Sequence, residues 1–146
     1  DTENFPEREL VHGFCLFKAL KKHFNGKSWL DFPDDIKYRK EEGVDYYEKL
    51  LADEVEYNAF VQALFYKQYF ELKNYANDLG IKIFGDLPIY VSKESSDMWQ
   101  NPDMFVVNGD LSPKLVAGVP PDRFSETGQY WGMIGIIVRR LDLIGG

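Results

Sequence analysis

Apolar residues near the start of the chain recur at mixed three- and four-residue steps. Leu10, Phe14, Phe17, Ala19, Leu20 and Phe24 fall on one side of a helix at that spacing. The pattern predicts a helix over residues 8–24 that ends near Asn25-Gly26, two residues that tolerate the left-handed backbone of a helix C-terminus. In "KSWLDFPDDIKYR", which follows, turn chemistry gathers at Pro33-Asp34-Asp35 and the segment reads as surface connection. Another helix is expected to begin near Glu41.

The clearest helical pattern covers residues 53–79. Asp53 with Glu56 three positions on makes a capping box, and Gly80 stands where a left-handed residue ends a helix. Its apolar positions (Val55, Phe60, Val61, Leu64, Phe65, Tyr69, Leu72, Tyr75, Ala76 and Leu79) spread beyond one narrow stripe, which predicts contact with other elements on two sides. Core packing is the ordinary explanation of aromatic residues spaced in this way. "IKIFGDLPIYV" comes next, with a short β-prone run at residues 81–84 stopped by Gly85-Asp86-Leu87-Pro88. Helix, tight turn, strand and polar loop in that order describe a β/α unit. In a β/α barrel the loops after the strands carry the chemistry, which would set Asp86 and Tyr90 on the working face. Taken alone, Asp86 also fits a turn-stabilising carboxylate.

The segment "GVPPDRFSETGQYWG", residues 118–132, is neither a regular helix nor a central strand, because its prolines and glycines break both. It is expected to be an ordered loop. Large apolar side chains on a loop call for a reason, and Phe124, Tyr130 and Trp131 all lie in this one. They either tuck inward as anchors of the loop or face a ligand.

Composition narrows the classes. The chain has 146 residues, 45% hydrophobic and 16% aromatic, enough apolar material for a globular domain and unlike a disordered segment. Its 24 acidic and 17 basic residues give a net charge of -7, which repels nucleic-acid backbones and anionic membrane surfaces alike. No nucleic-acid or membrane partner is therefore expected. The single cysteine, Cys15, sits between Phe14 and Leu16 and reads as a buried thiol, which favours a reducing, cytoplasmic setting. No apolar run reaches the roughly 18–20 residues of a membrane span, and "DTENFPEREL" is too charged for a secretory signal.

Two blocks carry a family resemblance. "GIKIFGDLPIYVSKESSDMWQNPDMF" and "PKLVAGVPPDRFSETGQYWG" resemble the 4-α-glucanotransferases of the amylomaltase, or disproportionating-enzyme, type in glycoside hydrolase family seventy-seven. The likeness runs from about Leu16 to Gly132 and is closest from Asp53 onward. It implies an α/β fold, an incomplete (β/α)8 TIM-type barrel of the α-amylase class with helical insertions. The implied reaction moves an α-1,4-glucan segment from one maltooligosaccharide to the 4-hydroxyl of another, by a retaining double displacement that needs neither metal nor organic cofactor. The implied partners are α-1,4-glucans and maltooligosaccharides. By the same resemblance Asp86 lies near the reactive centre, Tyr90 is a candidate sugar contact, and Phe124, Gln129 and Trp131 belong to a loop folding over the groove.

Sugar rings have apolar C–H faces, so aromatic side chains supply contact area while amides and carboxylates fix the hydroxyls. A loop holding both also excludes water, which a transferase needs so that its intermediate meets a sugar hydroxyl first. Retaining transfer further requires two carboxyl groups about 5–5.5 Å apart. In the resembled family those carboxylates lie on later strands, so no catalytic residue is assigned in this chain. Asp86 and Glu126 match none of those positions, and His12 and His23 have no second ligand at metal-binding spacing.

"LVHGFCLFKAL" follows the family pattern only loosely, and "MIGIIVRRLDLIGG" after Gly132 departs from it. The expectation is a barrel fragment over residues 1–132 with an off-pattern tail over residues 133–146, inactive as a transferase by itself. A non-catalytic α-glucan-binding module is the alternative. Residues 133–138 are apolar and β-prone, suited to aggregation or to an improvised extra strand.

Overall fold

The computed structural model of the chain describes residues 8–86 and 88–135. They belong to two compact units, Asp1–Leu87 and Pro88–Gly146. Leu87 and residues 136–138 of the apolar tail lie outside the described residues.

The first unit is helical: α1 (Arg8–His23), α2 (Asp34–Lys37), α3 (Glu41–Leu50) and α4 (Ala52–Asp78). Helix α1 ends where its composition predicts, with Asn25 and Gly26 at φ 53° and 77° and the Gly26 N–H donating to Lys21 O at 2.7 Å. Its inner side buries Cys15, Leu16, Phe17, Ala19 and Leu20.

The segment read as surface connection is core instead. Ser28 Oγ accepts the Leu30 N–H at the head of a short 3-10 turn, Trp29–Asp31. Trp29, Phe32 and Ile36 are buried together with α1 residues, and Phe24 packs on Phe32 with ring centroids 4.6 Å apart. Phe32 and Pro33 are extended between the 3-10 turn and α2, so no single periodicity marks these three residues as core. Beyond it, Gly43 brings α3 so close to α2 that an added Cβ would lie 2.7 Å from both the carbonyl carbon and the oxygen of Asp35. Burial, followed by the nearby Asp35 and Tyr46, raises the Tyr47 phenol above its ordinary pKa.

Helix α4 follows α3 after one residue. Leu51 donates its N–H to Tyr47 O and accepts from the Val55 N–H, so it caps both helices. Asp53 is consequently inside the first turn, and the expected capping box is absent. There its charge favours the helix dipole without accepting a cap hydrogen bond. The other end keeps its expected form: Gly80 N–H donates to Asn77 O and Ile81 N–H to Ala76 O, both at 2.9 Å, a Schellman motif closed by Gly80 at φ 76°. Helix α1 packs along α4, and Lys22 pairs with Glu54.

No described side chain of α4 is buried. Phe60, Phe65, Leu72 and Tyr75 are all more than half exposed, which corrects the expectation that they fill the core. Helical periodicity reports which faces are apolar, and nothing among the described residues covers these faces. Residues 81–86 likewise form no strand. A strand needs a neighbour for its N–H and C=O groups, and this β-prone run has none among the described residues; Phe84 is 99% exposed.

The second unit contains two antiparallel ribbons, where a barrel fragment would lead one to expect parallel strands. Strand β1 (Tyr90–Ser92) pairs with β4 (Met133–Gly135) in the register Tyr90↔Gly135, Val91↔Ile134, Ser92↔Met133. Strand β2 (Gly118–Val119) pairs with β3 (Gln129–Tyr130). Ser95 caps α5 (Ser96–Gln100) by accepting the Met98 N–H at 3.2 Å. Met98, Trp99, Phe105 and Ile134 make the small core. Residues 133–135 thus do form an added strand, and the burial of Ile134 explains why it is apolar.

Two outcomes test this packing. Gly43→Ala should destabilise the chain by about 1–3 kcal/mol in urea unfolding, despite alanine's higher helix propensity, because the new methyl meets backbone. A gain in stability would contradict the α2–α3 approach. Burial raises the Cys15 thiol pKa, so a thiol-specific reagent should label Cys15 only after unfolding. The contribution of this one group to stability is constant at pH values well below the unfolded thiol's pKa of about 8.5 and falls as pH rises through it, where only the unfolded chain ionises.

Candidate glucan-binding site

The loop between β2 and β3 is built from its own polar groups. Asp122 Oδ1 accepts the backbone N–H of Phe124 at 2.8 Å and of Ser125 at 2.9 Å, an Asx turn that holds the tip. Ser125 Oγ donates to Gly128 O at 2.7 Å, and the Asp122 N–H donates to Ser125 O at 3.0 Å. Two glycines allow the ribbon beneath to close. A Cβ on Gly118 would lie 2.6 Å from Gln129 O, and one on Gly128, which is at φ 72°, would lie 2.5 Å from Val119 O. The Trp131 N–H donates to Ala117 O at 3.1 Å and the Ala117 N–H to Met133 O at 2.7 Å, which ties this ribbon to the start of β4.

That tie brings three predicted residues together. Tyr90, on β1, meets Trp131 edge to face with ring centroids 6.3 Å apart and planes at 76°. Trp131 Nε1 donates to Gln129 Oε1 at 3.0 Å. With its oxygen engaged, Gln129 presents its amide NH2 as the donor end. Trp131 remains 48% exposed although both of its neighbours touch it. Phe124 stands at the loop tip, 81% exposed, so these aromatics are not anchors tucked into the core. The result is an exposed apolar surface with an amide at its edge.

Asp86 belongs to the first unit, exposed in the extended segment after α4. Two loop carboxylates, Asp110 and Asp122, are committed to turns. Asp110 accepts from Ser112 N–H at 3.0 Å and from Ser112 Oγ at 2.6 Å, and Asp122 has the role described above. His12 Nε2 lies 2.9 Å from Glu48 Oε1, while His23 packs on Phe24 and Tyr47. Among the described residues no three His, Cys, Asp or Glu side chains cluster to hold a metal, and no helix is long and apolar enough to cross a membrane.

Two residues of this loop escaped the reading of the sequence. Asp122 organises the turn, and a D-x-F-S pattern is the signal for that role. Arg123 places its guanidinium 4.6 Å from the centre of the Phe124 ring, a contact that residue adjacency alone does not announce.

The family model described as 4-alpha-glucanotransferase matches residues 1–140. The chain belongs to the 4-alpha-glucanotransferase family. It is 48% identical over 138 residues to the 4-alpha-glucanotransferase of Clostridium butyricum, covering 90% of this chain and 28% of that protein. The Aquifex aeolicus 4-alpha-glucanotransferase is 44% identical over 122 residues, or 84% of this chain and 25% of its own length. Among solved structures, amylomaltase from Streptococcus agalactiae in complex with acarbose superposes with a TM-score of 0.84 at 43% identity, over 90% of this chain and 27% of that one. The chain therefore spans only about a quarter of the length of these family members.

Limited proteolysis tests the loop. Trypsin should cut after Arg123 several-fold faster in Gly128→Ala than in the wild type, because the ribbon cannot close around a β-carbon. Equal rates would show that Gly128 does not hold the loop.

Proposed function

We propose that this chain supplies α-glucan contacts to a 4-alpha-glucanotransferase. The observation that carries the reading is the exposed Tyr90–Gln129–Trp131 cluster, with Phe124 on the neighbouring loop tip. Aromatic faces match the C–H faces of glucose, and the Gln129 amide suits a hydroxyl. Tyr90, Phe124, Gln129 and Trp131 form the sugar-binding set in this reading. Asp86, in the first unit, is by the family resemblance a further substrate-binding residue of the whole enzyme, near the reacting sugar.

In this proposal the chain is part of an incomplete (β/α)8 barrel of the α-amylase class, residues 1–132 forming the barrel portion and residues 133–146 a divergent end. The whole enzyme works in the cytoplasm and acts on α-1,4-glucans and maltooligosaccharides. A carboxylate attacks the anomeric carbon of the donor and releases the reducing-end segment as a second carboxyl group protonates the leaving oxygen. An acceptor 4-hydroxyl, deprotonated by that second group, then displaces the carboxylate with net retention. The residues of this chain hold glucan and exclude water during the competition between acceptor and solvent, while neither carboxylate is assigned here.

Tryptophan fluorescence provides the test, because Trp29 and Trp99 are buried and Trp131 is not. Maltoheptaose should change the emission saturably, and Trp131→Ala should abolish the change. A wild-type chain whose emission is indifferent to maltoheptaose would contradict glucan binding. The same chain should leave maltotriose unconverted; formation of glucose and longer maltooligosaccharides would show that it does hold the reacting carboxylates.

A further inference from the structure

We infer that Arg123 is a positioning residue that covers one face of the Phe124 ring and leaves the other face for a glucosyl unit. The inference deepens the glucan-binding reading and rests on it. The loop fixes the backbone on both sides of the ring, since Asp122 Oδ1 accepts the N–H groups of Phe124 and Ser125. The backbone bonds leave the Phe124 side chain free to choose among rotamers, and at 81% exposure little packing selects one. Arg123 supplies the missing constraint. Its guanidinium carbon lies 4.6 Å from the ring centre, within the range of cation–π attraction.

The Arg123 charge lies over the ring. Asp122 is occupied by the turn, and among the described residues Arg123 enters no salt bridge. A guanidinium is weakly hydrated and planar, which lets it lie over an aromatic face at small desolvation cost. An aromatic ring has two faces. With one occupied, a sugar stacks on the other against a ring whose side-chain freedom is already reduced, so less ordering remains to be done on binding. Lysine would keep the charge and lose the planar stack.

The test uses the intact chain and two readouts. In proton NMR the Arg123 δ-methylene signals should be shifted upfield by the Phe124 ring current, and Phe124→Leu should return them to ordinary positions. In a maltoheptaose titration followed by Trp131 fluorescence, Arg123→Gln should weaken binding about two- to five-fold, with Arg123→Lys between it and the wild type. Arg123 signals indifferent to Phe124→Leu would overturn the contact. Arg123→Gln binding as tightly as a wild type that does bind would overturn the positioning role alone. A wild type that does not bind maltoheptaose would overturn the glucan reading and this inference with it.

Discussion

The candidate site depends on the antiparallel pairing of Tyr90–Ser92 with Met133–Gly135. These strands stand at opposite ends of the second unit's described chain, and joining them closes everything between into one long loop. Such closure costs entropy that grows only slowly with loop length, so a short ladder with one well-buried side chain can hold it. Ile134, opposite Val91, is that side chain. The ladder sets Tyr90 at the height of Trp131, while Ala117 connects the β2–β3 ribbon to Met133. Aromatic residues distant in sequence thereby share one surface.

Rigidity and exposure are combined in the adjoining loop. Two of its polar residues are used internally, in the Asx turn of Asp122 and the Ser125–Gly128 contact, and its aromatic residue Phe124 is left to solvent. This reverses the usual arrangement of a surface loop, where apolar groups turn inward and polar groups face water. Preordered aromatic surface loses little entropy when a flat, hydroxyl-edged ligand stacks on it. Helix α4 shows a related excess of exposed apolar surface, stabilised at its C-terminus by a Schellman motif and along its side by α1.

The sequence discloses those features whose cause is local. Asn25-Gly26 and Gly80 end helices because only a few residue types accept positive φ, and both ends could be read directly. The residues of the aromatic loop were legible through their prolines, glycines and family pattern. Features decided by neighbours were not. Asp53 lost its capping role because α3 runs to Leu50 and leaves Leu51 to cap both helices. Trp29, Phe32 and Ile36 looked like connection because a 3-10 turn, an extended Phe32-Pro33 step and a four-residue helix carry them, and no single periodicity marks their burial. Residues 81–84 have strand composition, but a strand exists only with a partner. Arg123 over Phe124 depends on side-chain rotamers, about which residue order says little.

Hydrogen–deuterium exchange of the chain with and without maltoheptaose tests most directly whether this surface is the sugar site. The account predicts added protection in residues 118–131 and along Tyr90–Ser92, with the amides of α1 and α3 unchanged. Protection confined to the helical unit, or none at saturating sugar, would contradict it.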